Sequence, residues 1–481
     1  MFSSSDHTVL FFSTKPTRKL LKSLAIFCLV LYVIHVFSGI LWCNSSHLLN
    51  NYLIEYNPSQ TSNSLPPTNA THIAFGIASS SGTWQNRRYY VQSWWRPNVT
   101  RGFLFLDETR KDFFPWSPAS PPLQLFEDTS RYEDYNKHKA RQAIRMVHMI
   151  AEIFRAENQG VRWYAFMDDD TIVFVDNLVD VLSKYDHREY FYIGANSESI
   201  ASNVFNSFEM AFGGGGYVLS YPLVEALVKN LDVCIERYPS LYGSDHVVQS
   251  CVADLGVSLT LEKGFHQIDL HHDISGFLSS HPQSPLLSLH HLDAFDPIYP
   301  ATDRYHSLNH LMKAAMADSS RLFQQTICYS KQQNLTFSIS WGYSAHAYEG
   351  IHPPSILQRP LETFWPWARF ANPPYMFNTR IPSRDPCRNP RVFFFDSVEE
   401  VASGDYIVTS YNQTYTDRLR ACSKSENRSV DYLSQIRVLS PLRRYNETGN
   451  RRECCDIVQE TAGMNASEIK LRPCMKDEFL A

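Results

Sequence analysis

Trp163-Tyr164-Ala165-Phe166-Met167-Asp168-Asp169-Asp170 is the stretch that decides the fold. Five apolar residues without a break have the length of a buried strand, and they stop at three consecutive carboxylates. Just upstream, Ala140, Ala143, Ile144, Val147, Ile150, Ala151 and Phe154 recur at helical spacing within Lys137 to Ala156, which predicts a helix with one inward face. Further back, His72 to Ala78 and Gly102 to Leu106 read as two more buried strands, ending at Ser79 and Asp107. Strands alternating with helices predict an α/β domain around a largely parallel sheet with helices on both faces. Such sheets bind ligands beyond the carboxyl ends of their strands, where the aspartates fall.

Three adjacent acids repel one another and raise each other's pKa unless a cation offsets them. In extended backbone the side chains of Asp168 and Asp170 share one side and Asp169 takes the other. Asp168 and Asp170 therefore suit one divalent ion, Mg²⁺ or Mn²⁺, with a phosphate completing its shell. An isolated D-x-D is commonly no more than a solvated turn. Here the apolar strand before it and Thr171-Ile172-Val173-Phe174 after it favour the metal.

Downstream, Phe212-Gly213-Gly214-Gly215-Gly216-Tyr217 holds four of the chain's 19 glycines, between aromatic residues that no flexible linker would carry. It lacks the endings of nucleotide-triphosphate and dinucleotide loops, and reads as a tight turn lining a cleft. Tyr242-Gly243-Ser244-Asp245 then opens a helix that closes at Gly256. Asp245 suits either a helix N-cap or a general base. Ser288-Leu289-His290-His291-Leu292-Asp293, after Leu286-Leu287, predicts another strand end, delivering an imidazole.

The remaining sequence sets compartment and organisation. Ser23 to Cys43 carries no Asp, Glu, Lys or Arg, and Lys15, Arg18, Lys19 and Lys22 precede it. Twenty-one residues of helix span about 30 Å, and the flanking positive charge predicts a cytosolic tail at 1–22 and a signal anchor at 23–43. Residues 44–70, rich in Asn, Ser and Pro, read as a stem. Beyond the anchor lie eight sequons (Asn44, Asn69, Asn98, Asn334, Asn412, Asn427, Asn446 and Asn465) and eight cysteines, an even set expected to pair in an oxidising lumen. From about residue 326, short aromatic runs separated by Pro-rich turns predict a β-rich, disulfide-stapled region to residue 481. With 44 basic against 49 acidic side chains, the chain lacks the excess positive charge of a nucleic-acid binder.

Together these motifs resemble the fringe-related inverting β1,3-glycosyltransferases of the Golgi, and within them the plant branch long filed as a domain of unknown function. The similar stretches run from Ile73 to Asp293: Arg87-Arg88 to Trp95, Trp163 to Val173, Gly213 to Ser220, Gly243-Ser244-Asp245 with Leu255-Gly256-Val257, and Ser288-Leu289-His290. The chain departs from the family pattern where Ser244-Asp245 stands in place of two acids. The resemblance implies a GT-A fold over 71–325, a UDP-sugar donor and Mn²⁺ or Mg²⁺. It implies metal ligands Asp168, Asp170 and His290 (with His291 and His266 as nearby candidates) and donor contacts from Arg88, Asp168, Asp169, Gly214 and Gly215. Asp245 becomes the base for a glycan or glycoprotein acceptor, in a type II Golgi membrane protein. Two other readings remain: a catalytically silent lumenal glycan-binding scaffold, or a metal-dependent phosphoesterase, which would want a second set of carboxylates.

Overall fold

A computed structural model of the chain describes residues 28–32, 66–133, 141–282, 284–401, 404–414, 419, 422, 428–442, 452–458 and 466–480. Most of the expected tail, anchor and stem therefore lies outside the described residues; residues 28–32 are helical. Among the described residues no helix is long and apolar enough to cross a membrane. Residues 67–481 form one compact unit.

The chain first lays down β1 (Ile73–Ala78), α1 (Trp84–Trp94), β2 (Arg101–Leu106), β3 (Leu123–Leu125), α2 (Arg141–Ala156) and β4 (Trp163–Asp168). After β5 (Ile172–Val173) and α3 (Val175–Leu182) come β6 (Tyr192–Gly194), α4 (Ile200–Phe205), β7 (Tyr217–Ser220), α5 (Tyr221–Arg237), α6 (Ser244–Asp254) and β8 (Leu259–Leu261). Seven of these strands make one sheet in the order β3-β2-β1-β4-β7-β6-β8. β1 is parallel to both β2 and β4, and β7 runs antiparallel between β4 and β6. Alternate residues of β1 feed two apolar layers. Ile73, Phe75 and Ile77 pack with Trp84 and Trp94 of α1, while Ala74 and Ala78 pack with Ile144, Val147 and Ile150 of α2 and Leu223 and Leu227 of α5. The sheet is thus covered by helices on both faces, as the sequence pattern predicts.

Two small ladders then frame the cleft: β9 (Leu270–His272), which pairs with a later strand, and β10 (Ser288–Leu289), which runs antiparallel to β5. After α7 (Arg304–Asp318) the chain turns to β structure, with β11 (Gln325–Ser330), β12 (Leu335–Ser340), β13 (Ser344–Glu349), β14 (Phe364–Pro366), β15 (Arg391–Glu400), β16 (Tyr406–Gln413), β17 (Gln435–Pro441), β18 (Cys454–Val458) and β19 (Ala466–Arg472). All but β14 form an eight-stranded sheet, β11-β12-β13-β15-β16-β17-β19-β18; β14 leaves to pair with β9.

The eight cysteines beyond residue 44 pair as 234–251, 328–455, 387–422 and 454–474. Adjacent residues of a strand face opposite ways, which lets Cys454 and Cys455 of β18 reach different partners. Cys455 joins β18 to β11, so the two edge strands of the sheet are tied together.

Candidate active site

β4 ends at Asp168, in register with Ala78 at the end of β1. Asp169 and Asp170 lie in a turn, closed by the Thr171 amide donating to the Asp168 carbonyl at 3.3 Å. The separation of the three carboxylates follows from that turn, not from strand alternation as the sequence suggests. Asp169 faces inward, 2 % exposed, and accepts from Ser79 Oγ (2.6 Å), Thr83 Oγ1 (3.1 Å) and Arg87 Nη1 (3.0 Å).

Asp168 and Asp170 face a histidine instead. Ile172 of β5 pairs with Leu289 of β10, and this short ladder carries His290 beside Asp170. His290 Nε2 lies 3.2 Å from Asp170 Oδ1 and 3.7 Å from Asp168 Oδ2. One ligand atom from each of the three residues falls within 4.8 Å of the others.

The four-glycine run forms the opposite wall. Gly216 N donates to the Gly213 carbonyl at 3.0 Å, and Gly216 takes a φ of 94°, in the region glycine favours. A Cβ at Gly214 would sit 2.6 Å from His290 Nε2, and one at Gly213 would sit 3.0 Å from Asp245 Cγ. Both glycines are thus required by close approach. Asp245 is the second residue of α6, whose N-cap is Gly243, so the carboxylate does not cap its own helix. It turns to the glycine wall, accepting from Gly213 N (2.9 Å) and Ser244 Oγ (2.9 Å).

Electrostatics in the cleft follow from this crowding. Burial raises the Asp168 carboxyl well above the usual range, and the charges of Asp170, Asp245 and Asp169 add to the rise. Burial also raises Asp245, against the Gly213 and Ser244 hydrogen bonds. Burial acts on Asp170 in the same direction but is outweighed by His290 and Arg87, which bring it down to about 2. Burial and the neighbouring His291 lower His290, which favours the neutral imidazole, the form that binds a cation. Arg87 is the fixed cation here, pairing with Asp169, Asp170 (3.2 Å) and Asp293 (2.7 Å). Against several carboxylates it leaves the cleft short of positive charge. Two hard oxygens and one imidazole fit a divalent ion such as Mn²⁺, whose charge would relieve Asp168.

The structure places the other sequence candidates as follows. Arg88 is exposed on α1, and Arg87, one residue earlier, makes the carboxylate contacts. Gly215 donates to Gln267 Oε1 at 2.7 Å and its carbonyl accepts from Ser288 Oγ, which locks the wall to β10. His266 is removed from the cluster: its Nδ1 faces Glu198 Oε1 at 3.0 Å and its Nε2 faces His281 at 2.9 Å. His291 pairs with Asp269 (3.2 Å) and stacks flat on Trp367, at 4.7 Å and 4°. Sequence reasoning missed Ser79, Thr83, Arg87 and Asp293. The signal was available, since Ser79 to Thr83 follow β1 at the carboxyl edge of the sheet, where ligand-binding loops gather.

A family model described as "Protein of unknown function, DUF604" matches residues 202–455, just over half of the chain. The chain belongs to this family. The DUF604 match takes in the glycine wall, Asp245 and His290, and it begins beyond Asp168–Asp170. Among solved structures, the chain is similar to the mannosyltransferase PcManGT from Pyrobaculum calidifontis, in complex with GDP-Man and Mn²⁺. The identity is 9% and the TM-score 0.27, over 42% of this chain and 59% of that one. The chain thus matches less than two thirds of that neighbour's length.

Proposed function

We propose that this DUF604 protein is a metal-dependent, inverting glycosyltransferase of the fringe-related β1,3 class. It would move a sugar from a UDP-sugar to a hydroxyl of a glycan or glycoprotein, as a type II protein with its body in the Golgi lumen. One observation carries the reading: Asp168, Asp170 and His290 converge at the carboxyl edge of the sheet, and Asp245 meets them across the two glycines. Asp168, Asp170 and His290 would hold the ion, and a bound Mn²⁺ supplies positive charge to a diphosphate leaving group.

The chain's own residues account for the rest. Asp169, fixed by Ser79, Thr83 and Arg87, anchors the turn that presents Asp168 and Asp170. Asp245 takes the proton of the acceptor hydroxyl as its oxygen bonds to the sugar C1 and the C1–O bond to the diphosphate breaks. Attack opposite the leaving group inverts the anomeric centre. The raised pKa of Asp245 moves it toward the working range of a general base.

Turnover of UDP-sugars by the full-length chain with Mn²⁺ tests the reading, with Asp245→Asn as the diagnostic variant. Transfer should fall by roughly 10²- to 10⁴-fold while UDP–Mn²⁺ affinity stays within a few-fold. Transfer retained within a few-fold would remove Asp245 as the base, and absence of turnover with every UDP-sugar would remove the assignment.

A further inference from the structure

Away from this cleft, a cavity of about 390 Å³ opens between α7 and the strands β15 and β16. That volume lies within the roughly 300–1,000 Å³ of small-molecule sites. His306, Asn309, His310 and Lys313 all line it, at the spacing of a single helix face. His310 packs on the rings of Tyr299 and Phe395 at 4.8 and 4.9 Å, with its Nε2 2.7 Å from the Phe395 carbonyl, while His306 and Lys313 lie exposed at the mouth of the cavity. The lining mixes polar side chains (His306, Asn309, Lys313) with aromatic residues, a composition that suits a sugar ring, which carries hydroxyls at its edge and C–H groups on its faces.

On the β16 side of the cavity, Asn412 in the strand and Thr414, one residue past its end, both line the space. With Gln413 between them, they are a sequon. Asn412 Oδ1 accepts from Gln435 Nε2 at 3.0 Å, and among the described residues Nδ2 has no partner. The nitrogen that a glycan would join is thus left available at the edge of the cavity.

We infer that Asn412 carries an N-linked glycan whose first sugars sit in this cavity, filling it from the chain's own covalent attachment. In that modification Nδ2 of Asn412 bonds to the sugar C1 of a lipid-pyrophosphate-linked oligosaccharide. The C1–O bond to the pyrophosphate breaks, the lipid pyrophosphate leaves, and the Nδ2 proton passes to the base of the transferring enzyme. The inference rests on the lumenal orientation proposed above, and the exposed sequons Asn69, Asn98 and Asn334 report on that orientation separately.

The experiment is site-resolved glycopeptide mass spectrometry on the full-length chain from a eukaryotic secretory host. The folded protein is treated with peptide N-glycosidase and compared with the denatured protein. Asn412 should be occupied, and its glycan should be released from the folded protein at least roughly tenfold more slowly than those of Asn69, Asn98 and Asn334, because release requires local opening. Denaturation should abolish the difference. Full occupancy with release as fast as at the exposed sites overturns the seating in the cavity. An unmodified Asn412 beside occupied Asn69, Asn98 and Asn334 overturns the site while leaving the orientation intact. No glycan at any of the four overturns both. Asn412→Gln supplies a second readout: loss of one glycan mass and a lowered Tm support the inference, and an unchanged Tm with that mass lost overturns the seating.

Discussion

Two adjacent glycines separate the proposed metal ligands Asp168, Asp170 and His290 from Asp245, and substituting each in turn should disable one and spare the other. Gly214 has a φ outside the left-handed region, so alanine suits the backbone. Its Cβ, however, would lie 2.6 Å from His290 Nε2, where ordinary contact begins near 3.4 Å. The imidazole must retreat by about 1 Å, whereas a ligand sphere tolerates roughly 0.2 Å. His290 is fully packed, with 5 % of its side chain exposed, and its displacement moves Nε2 out of the position it holds 3.2 Å from Asp170 and 3.7 Å from Asp168. Overpacking of this kind costs about 1–3 kcal/mol of stability, small enough for the protein to remain folded. The loss in Mn²⁺ affinity should be at least about 100-fold, at the upper end of what even indirect perturbation of a metal ligand produces.

Gly213→Ala presses on Asp245 instead, reaching within 3.0 Å of Cγ. It should lower transfer by about 10²-fold or more, the low end of general-base contributions, with Mn²⁺ affinity changed only a few-fold. Calorimetry with Mn²⁺ and a transfer assay on both variants, after circular dichroism shows each folded, give the comparison. A Gly214→Ala protein that binds Mn²⁺ within a few-fold of wild type would refute the assignment of His290 as a ligand. Equal loss of both properties in both variants would refute the division of labour across the glycine wall.

Arg87 and Arg88 offer a second contrast: Arg87→Met strands the buried Asp169 and Asp170 and should cost about 3–5 kcal/mol in chemical denaturation, while Arg88→Met should stay within about 0.5 kcal/mol. Equal effects would contradict the ion-pair geometry. A third concerns pH. Because the Asp168 carboxyl is raised above its usual 3.8, the metal-free protein loses stability as pH climbs from that value through the raised one, and protons compete with the ion below it. The rise in Tm on adding saturating Mn²⁺ should therefore be small in mildly acidic buffer and grow toward neutrality, reaching the equivalent of about 2.7 kcal/mol at a hundredfold excess over Kd. Differential scanning calorimetry across that range checks it; a pH-independent shift would mean that Asp168 is not a ligand.

How much of this was legible in the sequence depends on the range of the interactions involved. The strand ending at Asp168, the helix face of α2 and the closing glycine at residue 256 (φ 77°) follow from local pattern, and all three stand in the structure. Choosing Arg87 over Arg88 needs the rotation of α1 about its axis, which depends on how Trp84, Tyr90 and Trp94 pack into the core. Choosing His290 over His266 needs the pairing of β5 with β10, and the spacing of histidines gives no hint of it. The cysteine count predicts full pairing, but Cys454 and Cys455 are assigned only once β18 is known to be a strand with two faces.

The role of the β-rich region was not readable from sequence at all, and the pairing of β14 with β9 supplies a physical account of one part of it. That ladder sets Trp365 opposite His271 and brings Trp367 to stack on His271 at 4.5 Å as well as on His291 at 4.7 Å. His291 in turn lies ring to ring with His290 at 4.0 Å. An imidazole held beside Asp170 by a two-residue strand has little local support, because so short a ladder is weak by itself. Stacking from a strand outside the seven-stranded sheet provides what is missing, since packing on the next residue limits how far the His290 imidazole can swing. β14, which the chain lays down between β13 and β15, therefore contributes to the cleft mechanically through its ladder with β9 and the adjoining Trp367, even though among the described residues no strand of the eight-stranded sheet supplies a side chain to the Asp168–Asp170–His290 cluster or its glycine wall.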